Sequence, residues 1–293
     1  MYFPQKRALQ QIVALTCPRF TGIILSDFVV AAFITPDRKG SHMLTVANLT
    51  KKYGKILACD DVSFTLDSGS VTVLLGPNGA GKSTLMKSII GFLRYTGEIT
   101  IDGFANKSSE ARRILGYIPE IPSLYPNLTV SEHMDFLARA YRLTDYKTRA
   151  QQFLERFELS DKKKKFGDEL SKGMQQKLNI CLGLLPEPQL LLLDEPMIGL
   201  DPHAIKELKT LMEEMRAQGK TLLVSTHIID SVDMLWDRTL IMQNGAVRAN
   251  VTRDELDRDG RTLEELFFAV TEGVTSADIS HPAESAPQEA EVQ

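Results

Sequence analysis

Two spacings of apolar residues divide this chain into segments. Leu44-Thr45-Val46-Ala47-Asn48-Leu49 and Val62-Ser63-Phe64-Thr65-Leu66 alternate apolar and polar positions, the period of a strand with one face buried. Val71 to Leu75, Leu190 to Leu193 and Thr221 to Ser225 are apolar almost throughout and predict buried strands. The four leucines predict a central strand covered on both faces. Gly97 to Gly103 reads as a hairpin-like piece, and Thr239 to Met242 and Ala246 to Asn250 flank an Asn244-Gly245 turn.

From about Ile121 helical spacing takes over. Thr129 and Glu132 stand at capping-box distance, and Val130 to Leu143 carries apolar residues at helical intervals. A second helix is predicted over Thr148 to Leu159, a third over His203 to Gln218 with Gly219 at its end, and a short one over Thr262 to Val270. Strands first, then strand–helix alternation, predict an α/β sheet with an antiparallel flank.

The chain has 293 residues, 43% of them hydrophobic and 25% charged, with a formal net charge of −4. That suits one large or two small globular domains with enough apolar surface to fold unaided. Mild acidity argues against nonspecific nucleic-acid binding, and Lys162 to Lys165 reads as a solvated surface. Cys17, Cys59 and Cys181 are odd in number and far apart, which suggests neither a disulfide framework nor a zinc site and suits a reducing compartment. Residues 1–42 show no helical or strand period. They read as an N-terminal extension ahead of a working start at Met43, a mis-called start or an accessory segment. Its most apolar part, Phe20 to Ile34, is too short to span a bilayer. Residues 273–293 are rich in Ala, Ser, Pro and Glu, and disorder is expected there.

The chemistry concentrates between the strand Val71 to Leu75 and the helical run that begins near Leu85. Gly76-Pro77-Asn78-Gly79-Ala80-Gly81-Lys82-Ser83-Thr84 fits the P-loop pattern, with Gly76, Gly81, Lys82 and Ser83 at its defining positions. Glycines let the backbone wrap a phosphate so that successive N–H groups point inward, and the positive end of the following helix adds to the attraction. Lys82 is then expected on the β- and γ-phosphates and the Ser83 hydroxyl on Mg²⁺. Asp194 ends the leucine strand, where a carboxylate can help to hold the same ion. Glu195 follows it and can polarise an attacking water as a general base. His227 ends the next strand, placed to contact the γ-phosphate and orient that water.

Between about Met43 and Gly273 these features resemble the ATP-binding subunit of an ABC transporter. Leu170-Ser171-Lys172-Gly173-Met174-Gln175-Gln176 is similar to the family's LSGGQ signature and precedes Asp194 as in the family. The resemblance implies that Ser171 and Gly173, flanked by Lys172 and Met174, bind the γ-phosphate held by the opposite protomer. It places Tyr53 as the adenine-stacking aromatic and Asp201, in Ile198-Gly199-Leu200-Asp201, in the D-loop at the dimer interface. Two departures from the pattern stand out, one in the Q-loop and one in the signature. Glu120 stands where the family has its Q-loop glutamine and can still meet Mg²⁺ or the water; Lys172 and Met174 replace a glycine and a glutamine. These variants, and the wording from Tyr117 to Tyr125, look most like the exporter-type, ABC-2-like branch and its Ecs-type subunits.

The fold class implied is α/β. It combines a P-loop NTPase core on a RecA-like, mostly parallel sheet with an antiparallel β flank and an inserted α-helical subdomain over about residues 121–176, within a domain spanning 43–272. The resemblance further implies a head-to-tail dimer, identical or mixed, enclosing two ATP molecules. It implies a separate polytopic membrane permease that holds this subunit at the cytoplasmic face and docks near Ile121, Leu124, Tyr125 and Leu128; the charge balance predicts no nucleic-acid partner. The rival reading is a soluble ABC-type ATPase acting on ribosomes or DNA. Such relatives usually carry two ATPase units or a coiled-coil insertion, and this chain has one unit and no heptads.

Overall fold

The computed structural model describes residues 42–229 and 236–272; the expectations for residues 1–42 and 273–293 lie outside it, apart from His42. In chain order the strands are Leu44–Tyr53 (β1), Ile56–Leu66 (β2), Val71–Leu75 (β3), Thr96–Ile101 (β4), Phe104–Ala105 (β5), Leu115–Ile118 (β6), Leu190–Asp194 (β7), Thr221–Thr226 (β8), Arg238–Gln243 (β9) and Ala246–Thr252 (β10). The helices are Lys82–Ile89 (α1), Ser109–Ile114 (α2), Val130–Ala140 (α3), Tyr146–Arg156 (α4), Lys172–Leu184 (α5), Pro202–Ala217 (α6), Arg253–Asp259 (α7) and Leu263–Glu272 (α8).

The strands form two sheets. A four-stranded antiparallel sheet runs β2-β1-β4-β5, and a six-stranded sheet runs β10-β9-β3-β8-β7-β6. In the larger one β6, β7, β8, β3 and β9 are parallel, and β10 closes the edge antiparallel to β9. All four leucines of β7 are fully buried, and they divide between two cores. Leu190 and Leu192 pack with Leu85 and Met86 of α1 and Ile99 and Ile101 of β4. Leu191 and Leu193 pack with Val130 and Met134 of α3, Leu178 of α5 and Leu208 of α6. A strand covered on both faces needs no polar alternation, which is why this one reads as an unbroken apolar run. Val73 and Leu75 face a third cluster, with Trp236, Leu256, Leu263, Leu266 and Phe267.

Local signals fix the helix ends. Thr129 Oγ1 accepts from the Glu132 amide at 3.2 Å, and the Glu132 carboxylate accepts from the Thr129 amide at 2.8 Å, a complete capping box for α3. Asp201 caps α6 by accepting from the Ala204 amide, with Pro202 in the first turn, and Gly219 at φ 76° lets the chain leave it.

Several elements differ from the periodicity reading. The first hairpin continues through Lys51, Lys52 and Tyr53, because β1 and β2 stay paired out to a turn at Gly54 and Lys55. The helix predicted over Thr148 to Leu159 lies at Tyr146–Arg156, and a 3₁₀ turn takes Ser160–Lys162. The signature helix α5 runs on to Leu184. Strand β6 and helices α2 and α7 carried no legible period: all three are short, and Gly116 interrupts the apolar spacing of β6. That glycine is required, since a Cβ there would lie 2.7 Å from Pro188. Among the described residues no helix is long and apolar enough to cross a membrane.

Because β7 is sealed on both faces, Leu192→Ala is expected to cost about 3 kcal/mol of stability. The check is a lower denaturant midpoint with an unchanged slope.

Candidate active site

The P-loop leaves β3 and enters α1 under close backbone constraint. A Cβ at Gly76 would lie 2.3 Å from the Met242 carbonyl oxygen, and one at Gly81 would lie 2.3 Å from that of Ala58. Gly81 also sits at φ 107°, a conformation that favours glycine. The Asn244-Gly245 turn closes the third side, with the Gly245 amide on the Ala80 carbonyl and the Asp60 amide on the Gly245 carbonyl. The loop is therefore wedged between β2 and the β9–β10 turn. Gly79, at φ 83°, turns the chain at its outer bend, and Asn78 and Thr84 line the cleft beside it.

Lys82 is only 5% exposed. Its Nζ donates to the Gly76 carbonyl at 2.7 Å and the Pro77 carbonyl at 3.4 Å, and lies 3.4 Å from Glu195 Oε1. His227 Nδ1 lies 3.0 Å from the same carboxylate oxygen, close enough for an ion pair but not aligned as a hydrogen bond. Glu195 adopts φ 47°, unusual for a residue with a side chain, and its amide donates to both the carbonyl and the hydroxyl of Ser225. The strand thus ends in a turn that directs the Glu195 carboxylate toward Lys82 and His227.

Asp194 is almost wholly buried. Its Oδ1 accepts from Ser225 Oγ at 2.6 Å and Ser83 Oγ at 3.2 Å, and its Oδ2 from the Tyr117 hydroxyl at 3.3 Å. Burial and the neighbouring Asp194 charge push the Tyr117 phenol well above its ordinary range, so it stays protonated and donates. Ser83 and Asp194 bring hard oxygen donors together beside the phosphate loop, the donor chemistry that magnesium takes. Glu120, exposed, lines the same cleft of ≈ 800 Å³ with Lys82, Glu195 and His227.

Other candidate residues lie elsewhere. Ser171 caps α5 by accepting from the Met174 amide, Lys172 is exposed, and Met174 leans on the helical core. A Cβ on Gly173 would lie 2.9 Å from the Gly199 carbonyl, so the signature and D-loop touch each other. Lys177 of α5 holds Asp201 at 2.6 Å; that ammonium and the Ala204 amide keep the Asp201 carboxyl below its usual range. None of Ser171, Lys172, Gly173, Met174 and Asp201 lines the P-loop cleft. Tyr53 stands at the tip of the β1–β2 hairpin, about half exposed, with Lys51 Nζ 4.8 Å above its ring; its neighbours Ile56 and Leu57 are the cleft-lining residues there.

Periodicity and motif gave no role to Ser225, Tyr117, Ile56, Leu57 or the Asn244-Gly245 turn. Ser225 becomes visible only when β7 and β8 pair, with Asp194 opposite Ser225 in register. Cys59 and Cys181 are both buried free thiols, and burial pushes Cys59 up to about 12, leaving it inert. A smaller hollow between α4 and α6 is lined by Arg149 and Arg156, already paired with Glu187, Glu207 and Glu214.

Comparison with known proteins agrees with this geometry. The family profile described as ABC transporter matches residues 59–198. The ABC-type transporter ATP-binding protein EcsA of Bacillus subtilis is 37% identical over 238 residues, covering 78% of this chain and 96% of that protein. The Nod factor export ATP-binding protein I of Rhizobium meliloti is 36% identical over 215 residues, covering 72% of this chain and 64% of the relative. A solved ATP-binding subunit of an ABC transporter superposes with a TM-score of 0.74 at 39% identity, covering 78% of this chain and 99% of its own. A dimeric ATP-binding cassette in a post-hydrolysis state bound to ADP and Pi gives a TM-score of 0.65 at 28% identity, covering 72% of this chain and 98% of its own. With that likeness spread over most of its length, the chain belongs to the ABC transporter family, as an ATP-binding, ATP-hydrolysing subunit.

Proposed function

We propose that this subunit drives export through a separate membrane-spanning permease, working as one half of an ATP-closed dimer at the cytoplasmic face of the membrane. The observation that carries the catalytic part is the meeting of Lys82 Nζ and His227 Nδ1 on one oxygen of Glu195, 3.4 and 3.0 Å away. A cation, a carboxylate and an imidazole at the C-terminal edge of a parallel sheet, beside a phosphate loop, form a set suited to phosphoryl transfer. Lys82 binds the β- and γ-phosphates. Ser83 and Asp194 hold magnesium, which when bound neutralises charge on the phosphate oxygens, and Glu120 faces the same space. Glu195 takes the proton of the attacking water, and His227 steadies that water against the γ-phosphate.

The dimer part rests on the separation of the two halves of the site within one chain. Ser171, Lys172, Gly173 and Met174 sit at the start of α5, where a helix N-terminus favours an anion, yet outside the P-loop cleft. A second copy, or a related subunit, supplies them in trans with Asp201 between. Tyr53, at the hairpin tip beside Ile56 and Leu57, is read as the adenine-stacking ring.

The permease part rests on exposed apolar side chains just past Glu120. Ile121 is 77% and Tyr125 is 54% exposed, whereas Leu124 leans on the helical core and Leu128 is half-buried. An apolar patch of this kind marks an interface. Export as the direction follows the likeness to a Nod factor export protein and to the ABC-2-like, Ecs-type branch.

Glu195→Gln should keep ATP affinity while turnover falls at least about a hundredfold. It should also leave an ATP-bound dimer visible by size-exclusion chromatography with light scattering. Undiminished steady-state hydrolysis would remove Glu195 from the role of base. Lys82→Ala should weaken ATP binding tenfold or more by calorimetry, since a hydrogen bond to a charged group is worth about 1.5–3 kcal/mol. Equal affinity would defeat the P-loop assignment. Tagged Glu195→Gln protein pulled from detergent-solubilised membranes with ATP should bring down one polytopic membrane protein. The pair Ile121→Ala and Tyr125→Ala should abolish that recovery with ATP binding unchanged; recovery of ribosomes or DNA-associated proteins instead would overturn the transport reading.

A further inference from the structure

The two oxygens of Asp194 have different partners. Oδ1 accepts from Ser225 and Ser83, both on the phosphate edge, whereas Oδ2 accepts from one hydroxyl, that of Tyr117, at 3.3 Å. Two donors on a single oxygen leave a carboxylate free to pivot about that oxygen, because its terminal torsion is broad. A third donor on the other oxygen removes that freedom. Tyr117 comes from β6, where it pairs in register with Leu192, and the strand leads within two residues to Glu120. Its ring is met edge-on at 6.4 Å by the ring of Phe92, itself largely exposed.

We propose that Tyr117 is a positioning residue for the metal–nucleotide complex: its hydroxyl fixes the plane of the Asp194 carboxylate and ties it to the strand that carries Glu120. This rests on the reading of Asp194 as a metal ligand. Partners that hold a ligating carboxylate typically alter metal affinity by about 10–100-fold. At 3.3 Å this hydrogen bond is long for an O–H donor, which sets the expected effect at the lower end.

The test uses the full chain in a Glu195→Gln background, so that no nucleotide is turned over. Dissociation constants for a fluorescent ATP analogue are measured with Mn²⁺ and with EDTA, and their ratio gives the gain in affinity due to the metal. Tyr117→Phe removes the hydroxyl and keeps the ring. Its affinity in EDTA should equal that of the parent, while the gain due to Mn²⁺ falls about tenfold. Asp194→Asn should lose nearly all of the gain.

If Asp194→Asn loses the gain and Tyr117→Phe keeps it, the inference about Tyr117 is overturned and the metal reading of Asp194 stands. If Asp194→Asn also keeps the gain, both fall. Equal weakening of Tyr117→Phe with and without metal would mean that Tyr117 only supports the loop, which again overturns the proposal.

Discussion

Lys82 keeps an ammonium group almost wholly out of water, and removing such a charge from solvent costs several kcal/mol unless it is paired and hydrogen-bonded. The carbonyls of Gly76 and Pro77 and the Glu195 carboxylate meet that demand. Two of those partners exist because the loop curls back over its own helix. It can do so because Gly76 and Gly81 allow the backbones of Met242 and Ala58 to approach where a Cβ could not fit. The third exists because the chain turns at Glu195 into a left-handed conformation. Phosphate oxygens are stronger acceptors for an ammonium than peptide carbonyls. The two carbonyl contacts are therefore the ones a phosphate would readily replace, whereas the Glu195 carboxylate is itself a charged acceptor for the ammonium.

The same edge depends on strand order. Pairing β7 with β8 sets Asp194 opposite Ser225, so a single serine serves both acidic residues: its hydroxyl donates to Asp194, and its oxygens receive the Glu195 amide. Asp194 is held inside the sheet and Glu195 just beyond it, one residue apart but facing different partners. A left-handed residue with a side chain costs on the order of 1–3 kcal/mol, and such strain concentrates at working sites. Here it separates the carboxylate read as a metal ligand from the one read as a base.

Much of this was legible in the sequence, for physical reasons. The leucines of β7 form a run because both faces of that strand are covered, and Thr129 with Glu132 announced a capping box that is present in full. The P-loop glycines, Lys82, Ser83, Asp194, Glu195 and His227 could be named because they are contiguous or end apolar runs. Strand β6 could not be read, since four residues interrupted by a glycine carry no period, and with it Tyr117 stayed hidden. Ser225, Ile56 and Leu57 were equally silent, because their place in the site depends on the register between strands. Tyr53 stands on one strand of a hairpin whose returning strand carries the cleft-lining Ile56 and Leu57, a relation that only strand pairing reveals.

Helix α5 connects parts of the site that are far apart in sequence. Asn179 donates to the Pro119 carbonyl, one residue before Glu120, and Gln176 donates to the Pro196 carbonyl, one residue after Glu195. Asn179 and Gln176 are bonded to each other, and Lys177 on the same helix holds Asp201. Buried polar side chains are costly to leave unpaired. Any shift of the segment around Glu120 must therefore break the bond from Asn179 or carry α5 with it. Moving α5 moves Ser171 and Gly173 at its start, and through Lys177 it pulls on the D-loop. The exposed Ile121 and Tyr125 lie on the segment that follows Pro119. A partner that pressed on them would act on α5 through the hydrogen bond from Asn179 to the Pro119 carbonyl, with no need to touch the phosphate loop.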